Sequence, residues 1–176
     1  MIPSDGTTRE VPTRAAVQEG YEFGMWLRKA YLSFHRRANA VLLGHGVTAD
    51  QFVLLSVVAR EPGLTQVAIV ERTASDANTV AAILRLLEEG GLVRREAHAR
   101  DRRARCVFPT AEGQRVRRRA AREAESLLGT LWDCSADSGR GPVEQFLRRV
   151  HQCFSAPVTG ANSRPARRPS KGKAAT

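Results

Sequence analysis

A chain of 176 residues with 42% hydrophobic residues is long enough to bury the core of one domain. Its 28 Lys and Arg against 18 Asp and Glu give a formal net charge of +10, which favours polyanions and above all nucleic acid as partners. The longest apolar run, FVLLSVVA from Phe52, is too short to cross a bilayer, and MIPSDGTTREVPTR at the N-terminus has no apolar signal stretch, so a soluble cytoplasmic protein without a membrane partner is expected.

Residues 1 to about 17 are polar, contain Pro and Gly, and are expected to form a loose arm. From Tyr21 a helical pattern begins: Phe23, Leu27, Ala30, Phe34, Ala38 and Val41 recur in steps of three and four. It should end at Gly44 to Gly46, since glycine suits a helix C-terminus. Thr48 and Gln51 have the spacing of a capping box and open a second helix, with Phe52, Leu55 and Val58 as its buried stripe and Glu61 to Gly63 as its stop. TQVAIVER reads as a short helix and TAS as a tight turn. DANTVAAILRLLEEG reads as a longer helix capped by Ser75 or Asp76, with Val80, Ile83, Leu84 and Leu87 inward and Gly90 and Gly91 at its end.

LVRREA and ARCVF then read as two strands joined by an arginine-rich loop. Thr110 is placed to cap a long helix with Val116, Ala120, Ala124, Leu127 and Leu131 along one side. SADSGRGP breaks that helix, and Val143 to Phe154 forms a final amphipathic one. From Pro157 the chain carries Arg164, Arg167, Arg168, Lys171 and Lys173, no acid and almost no large apolar residue, so a disordered tail is expected.

The order of helix, short helix, tight turn, helix and β-hairpin is that of a winged helix-turn-helix, a mainly α fold with a small β wing. The helix after the tight turn can enter a major groove, and the stretch REAHARDRRARCVF places five arginines on the hairpin beside it. Double-stranded DNA, with its phosphates against the wing, is the partner this arrangement fits.

LTQVAIVERTASDANTVAAILRLLEEGGLVRRE followed by RDRRARCVFPTAEGQ closely resembles the MarR family of winged-helix transcription regulators. The resemblance runs over about residues 20 to 155 and is strongest from Leu64 to Gly113. It implies a homodimer in which terminal helices interleave while each copy offers one winged lobe to half of a pseudo-palindromic site. It also implies a repressor that releases DNA in response to a small molecule, often an aromatic acid or other anion, and a protein associated with the nucleoid. Carried over residue by residue, Asp76, Ala77, Asn78, Thr79 and Ala82 face the groove. Asn78 has the chemistry to read adenine, and Thr79 to bind a phosphate or meet a thymine methyl. In the wing, Asp101 would orient Arg103 into the minor groove, while Arg94, Arg95, Arg100, Arg102 and Arg105 are candidate phosphate contacts. Ala82 and Leu86 stand where the family often has arginine, which shifts weight from base reading toward the wing and DNA shape.

The domain order expected is an arm over 1–17, a dimerisation helix over 18–45, the winged lobe over 46–109, dimerisation helices over 110–155 and the tail over 156–176. Trp26, Tyr31 and His35 could line an effector crevice, although ordinary packing at a dimer interface is the commoner use of such residues. His98 is expected to be exposed on the wing, and Cys106 to be a small buried side chain. The three cysteines (Cys106, Cys134, Cys153) are too widely spaced for a disulfide framework or zinc module. No enzyme motif, metal-ligand spacing or cofactor loop stands out. An architectural DNA-binding protein with little sequence preference remains an alternative, as does a protein-interaction module on the same fold.

Overall fold

Side-chain caps fix where most of the helices begin. In the computed structural model, which describes residues 12–98, 104–136 and 139–155, Thr13 caps α1 (Arg14–Leu42) by accepting from Ala16 N. Thr48 and Gln51 form a reciprocal capping box at the start of α2 (Ala49–Arg60). Thr65 caps α3 (Gln66–Thr73), Asp76 caps α4 (Ala77–Glu89), and Thr110 Oγ1 accepts from Gly113 N at the start of α5 (Ala111–Cys134). The last helix is α6 (Arg140–Ser155).

Three strands complete the fold: β1 (Leu64–Thr65), β2 (Val93–Ala97) and β3 (Arg105–Pro109), antiparallel in the order β1-β3-β2. Arg95 faces Val107 and Arg94 faces Phe108 across the wing, and Leu64 faces Val107 on the other side of β3. The tight turn between α3 and α4 is made by Ala74 in the left-handed region, φ 51°.

The core is built from these elements. Leu54, Leu55 and Val58 of α2, Ile69 of α3, Val80, Leu84 and Leu87 of α4, and Val107 of β3 are almost wholly excluded from solvent. Burial of each such side chain contributes about 1.5–3 kcal/mol. Ala38 and Leu42 of α1 and Val116, Ala120 and Ala124 of α5 extend the same cluster. The chain divides between Thr130 and Leu131 into two compact units. In the second, the Arg140 guanidinium lies 3.7 Å above the Trp132 ring and Glu144 pairs with Arg148, while none of the α6 residues is buried.

Several boundaries differ from the sequence reading. Helix α1 begins at Arg14, so the expected loose arm over 1–17 already turns helical at its end. The first turns, RAAVQEG, lack an apolar stripe, but they hold good helix formers behind a threonine cap. Helix α6 begins at Arg140 rather than Val143, because Pro142 falls in the first turn, where its missing N–H costs nothing. In α2 Leu55 and Val58 are buried as expected and Leu54 joins them, whereas Phe52 is only half-buried. His98 is half-buried, not exposed, and its N–H donates to Ala104 O to close the hairpin. Cys106 is buried as expected.

Candidate nucleic-acid interface and effector cavity

Helix α4 buries one side and leaves the other to solvent. Val80, Leu84 and Leu87 anchor it, whereas Ala77, Asn78, Thr79, Ala82, Arg85 and Leu86 are exposed. The exposed surface at its N-terminal end is therefore short-chained: an amide, a hydroxyl and two methyls. Such a surface lets the backbone approach a groove closely, with Asn78 as its one bidentate hydrogen-bonding side chain. Asp76 has a different task. Its carboxylate accepts from Thr79 N at 2.9 Å, and hydrogen bonds from Thr79, side chain first and then backbone, hold its pKa below the usual range. It terminates the helix and orders the two residues beside it.

Arg72 of α3 ties that helix to Glu61 at the C-terminal end of α2. Its guanidinium donates to both carboxylate oxygens of Glu61, with Nε at 3.2 Å from Oε1 and an η nitrogen at 3.0 Å from Oε2. The side-chain hydrogen bond from Arg72 lowers the Glu61 pKa.

In the wing the arginines fall into two groups. Arg94 pairs with Glu96 on its own strand and lies 4.9 Å over the Phe108 ring. Arg95 Nε is 3.2 Å from Glu88 Oε2, close enough for an ion pair but without hydrogen-bond geometry, and this ties β2 to α4. These two candidate phosphate contacts thus have internal carboxylate partners. Arg105 is exposed. Arg100, Asp101, Arg102 and Arg103 lie outside the described residues. Arg95 and Arg105 also border a cleft of about 270 Å³ with Thr65 and Gln66 at the start of α3. Gln66 was not singled out from the sequence, because nothing in TQVAIVER foretells that β1 brings it beside the wing.

A cavity of about 210 Å³ opens between α1, α2 and α5. Its walls are apolar, from Phe34, Ala38 and Leu42 to Phe52 and Leu127, with Tyr31 and His35 among them. Trp26 is not: it is exposed, with Lys29 Nζ 4.5 Å above its ring. Besides Tyr31, polar character at the cavity comes from one chain of hydrogen bonds. Ala49 N donates to Asn39 Oδ1 at 2.8 Å, Asn39 Nδ2 faces His35 Nδ1 at 3.2 Å, and His35 Nε2 faces both oxygens of Asp50 at 3.2 Å. Neither Asn39 nor Asp50 stands out in the sequence, since a lone Asn on a helix and a first-turn Asp have common structural uses.

A model of the MarR family matches residues 45–104. A putative transcriptional regulatory protein for the hcr operon of Thauera aromatica is 30% identical over 135 residues, 74% of this chain and 80% of that protein. The chain belongs to the MarR family. Transcriptional regulator HosA of Escherichia coli is 43% identical over 70 residues, 40% of this chain, and the match spans about half of HosA, 52%. Among solved structures, a mutant MarR from E. coli complexed with operator DNA aligns with a TM-score of 0.69 at 21% identity, over 75% of this chain and 95% of that one. PcaV from Streptomyces coelicolor in complex with its natural ligand aligns with a TM-score of 0.65 at 23% identity, over 81% and 98%. At these identities the solved structures establish the MarR winged-helix fold. As a MarR-family member the protein is a transcriptional regulator and not an enzyme. Among the described residues no single helix is long and apolar enough to cross a membrane.

Proposed function

We propose that this MarR-family regulator is a dimeric repressor that binds a pseudo-palindromic promoter site and responds to a small-molecule effector. The observation that carries the reading is the exposed N-terminal end of α4, with Asn78, Thr79 and Ala82 turned to solvent on a helix whose last turn is tied to wing strand β2 through Glu88 and Arg95. Asn78 reads a base edge, Thr79 and Ala82 pack against the groove, and Arg105 with the loop arginines Arg100, Arg102 and Arg103 meets phosphates and the minor groove. Asp101 orients Arg103, Asp76 caps the end of α4 that faces the groove, and the short side chain of Ala77 lets that end approach closely.

Dimerisation is supported by apolar surface that one copy leaves wet. Tyr21, Trp26 and Tyr31 on α1, Leu128 on α5, and Leu147 and Phe154 on α6 are all strongly exposed. A two-fold dimer would cover such faces and set two copies of α4 about 34 Å apart, one turn of DNA. The cavity bordered by Tyr31 and His35 is the effector site in this reading.

Footprinting on the DNA upstream of the protein's own gene tests the proposal. The expected result is protection of two half-sites related by two-fold symmetry, with a dimer persisting at micromolar concentration in sedimentation. Uniform protection of any duplex would favour an architectural role, which the short side chains at Ala77, Ala82 and the apolar Leu86 keep in view.

A further inference from the structure

We infer that Glu88 suppresses non-specific DNA binding by neutralising Arg95, and so sets part of the protein's preference for its own site. The inference rests on α4 and the wing being the DNA-facing surface, and it adds to that reading a residue that works against DNA contact.

A net charge of +10 draws any duplex, whatever its sequence. Base reading from α4 is sparse, with Asn78 the one bidentate side chain on the exposed surface at its N-terminal end. Preference is the difference between specific and non-specific affinity. With few base contacts to raise the first, the ratio depends on holding down the second.

The wing strands hold it down with carboxylates. Side chains alternate along β2, so Arg94 and Glu96 share one face and Arg95 takes the other. On the first face Glu96 pairs with Arg94 beside the Phe108 ring. On the second the partner comes from another element: Glu88, in the last turn of α4, places Oε2 at 3.2 Å from Arg95 Nε. These four side chains sum to zero formal charge. Arg105 of β3 has no carboxylate partner among the described residues.

The Glu88–Arg95 pair stands where a phosphate could arrive. Arg95 borders the cleft that it shares with Thr65, Gln66 and Arg105. The Arg95 side chain is 26% exposed and that of Glu88 43%, so solvent screens the pair less than it would two free surface charges. A phosphate at Arg95 would meet the Glu88 carboxylate, a like charge, and gain no net cation. The buried Nε makes no hydrogen bond, so charge rather than a locked geometry holds Arg95 to Glu88. Gln at position 88 keeps the shape and removes that charge, which frees Arg95 to turn toward a phosphate.

The test follows fluorescence anisotropy of a scrambled duplex and of the duplex upstream of the protein's own gene, each titrated with the full-length protein over a range of salt concentrations. The variants are Glu88→Gln, Arg95→Gln, the two combined, and Glu22→Gln, which removes a carboxylate from α1 and controls for net charge. Glu88→Gln should bind the scrambled duplex about 3-fold or more tightly, with the slope of log K against log salt steeper by about 0.9, the increment of one added phosphate contact. Its preference for the upstream duplex should fall. Arg95→Gln alone should keep the wild-type slope, and the combined variant should return to it. Wild-type affinity and slope in Glu88→Gln, an equal gain in Glu22→Gln, a gain that persists in the combined variant, or a shallower slope in Arg95→Gln would each overturn the inference. Glu88→Gln against Glu22→Gln decides the matter on its own if Arg95→Gln does not fold. A wild-type protein with no preference between the duplexes would overturn the proposed specific regulator and the claim on preference, while the slopes on the scrambled duplex would still decide whether Glu88 neutralises Arg95.

Discussion

Gly113 and Leu92 are in backbone contact: a Cβ at Gly113 would lie 1.9 Å from Leu92 O. The first turn of α5 is pressed onto the turn that leads from α4 into the wing. Thr110 completes the junction by donating from Oγ1 to Gly91 O at 2.7 Å and accepting from Gly113 N. Gly113→Ala should therefore destabilise the fold by at least the ~1–3 kcal/mol typical of overpacking, because backbone must move to admit the methyl. Gly129→Ala, on the same helix with open space around it, should be neutral or slightly stabilising. Urea denaturation of the two variants makes the comparison, and equal midpoints would remove the contact from the account.

Asp76 and Glu61 give the protein an acid-sensitive margin. Both have folded pKa values lowered by hydrogen bonds, from Thr79 and from Arg72 respectively. Their contribution is present above the unfolded-state values and is lost as pH falls through the folded ones. Asn can cap a helix as Asp does but does not titrate. Asp76→Asn should consequently keep most of the stability at pH 7 and flatten the fall in Tm below the ordinary carboxylate range. A Tm–pH curve parallel to wild type would show that Asp76 contributes no pH dependence.

Leu84 sits in the middle of the buried side of α4 and is 0% exposed. Leu84→Ala should cost about 2–5 kcal/mol, transfer loss plus cavity, and the thermal unfolding midpoint should fall accordingly. Leu86→Ala on the opposite, solvent-facing side should change stability little. Comparable losses in the two variants would mean that α4 is rotated from the orientation described.

Arg103 and Asn78 should separate the two ways of reading DNA. Arg103→Ala is expected to weaken binding to the specific site by ~1–3 kcal/mol if it makes a minor-groove contact. Asn78→Ala should relax base preference more than it weakens binding to unrelated duplexes. Competition titrations with operator and scrambled DNA read both, and equal losses on every sequence would assign Asn78 to the backbone.

The sequence made most of the fold legible because its punctuation is strong. Thr48 with Gln51, Asp76, Thr110 and the Gly90–Gly91 pair each mark a helix end that the structure uses. Strand β1 escaped notice because it has two residues, too few for an alternation, and Thr65 doubles as the cap of α3. The early start of α1 was hidden because its first turns have propensity but no apolar face. On α4 the groove-facing set was implied by the family resemblance, while the inward residues Val80, Leu84 and Leu87 followed from spacing. The pairing of Arg94 and Arg95 with Glu96 and Glu88 did not, since it depends on strand register and on the approach of β2 to α4. The hydrogen-bond chain at the cavity was equally out of reach: it joins Asn39 and His35 on α1 to Ala49 and Asp50 on α2, and only the angle between the helices brings them together.

The central claim, sequence-specific repression, is tested most directly by one binding titration. Purified protein would be titrated against the intergenic DNA upstream of its own gene and against a scrambled duplex of equal length, at two salt concentrations. Specific readout through α4 and the wing predicts a clear preference for the upstream DNA that survives at the higher salt. Equal affinity for both duplexes, falling together as salt rises, would contradict it and leave a phosphate-binding protein without sequence preference on that DNA.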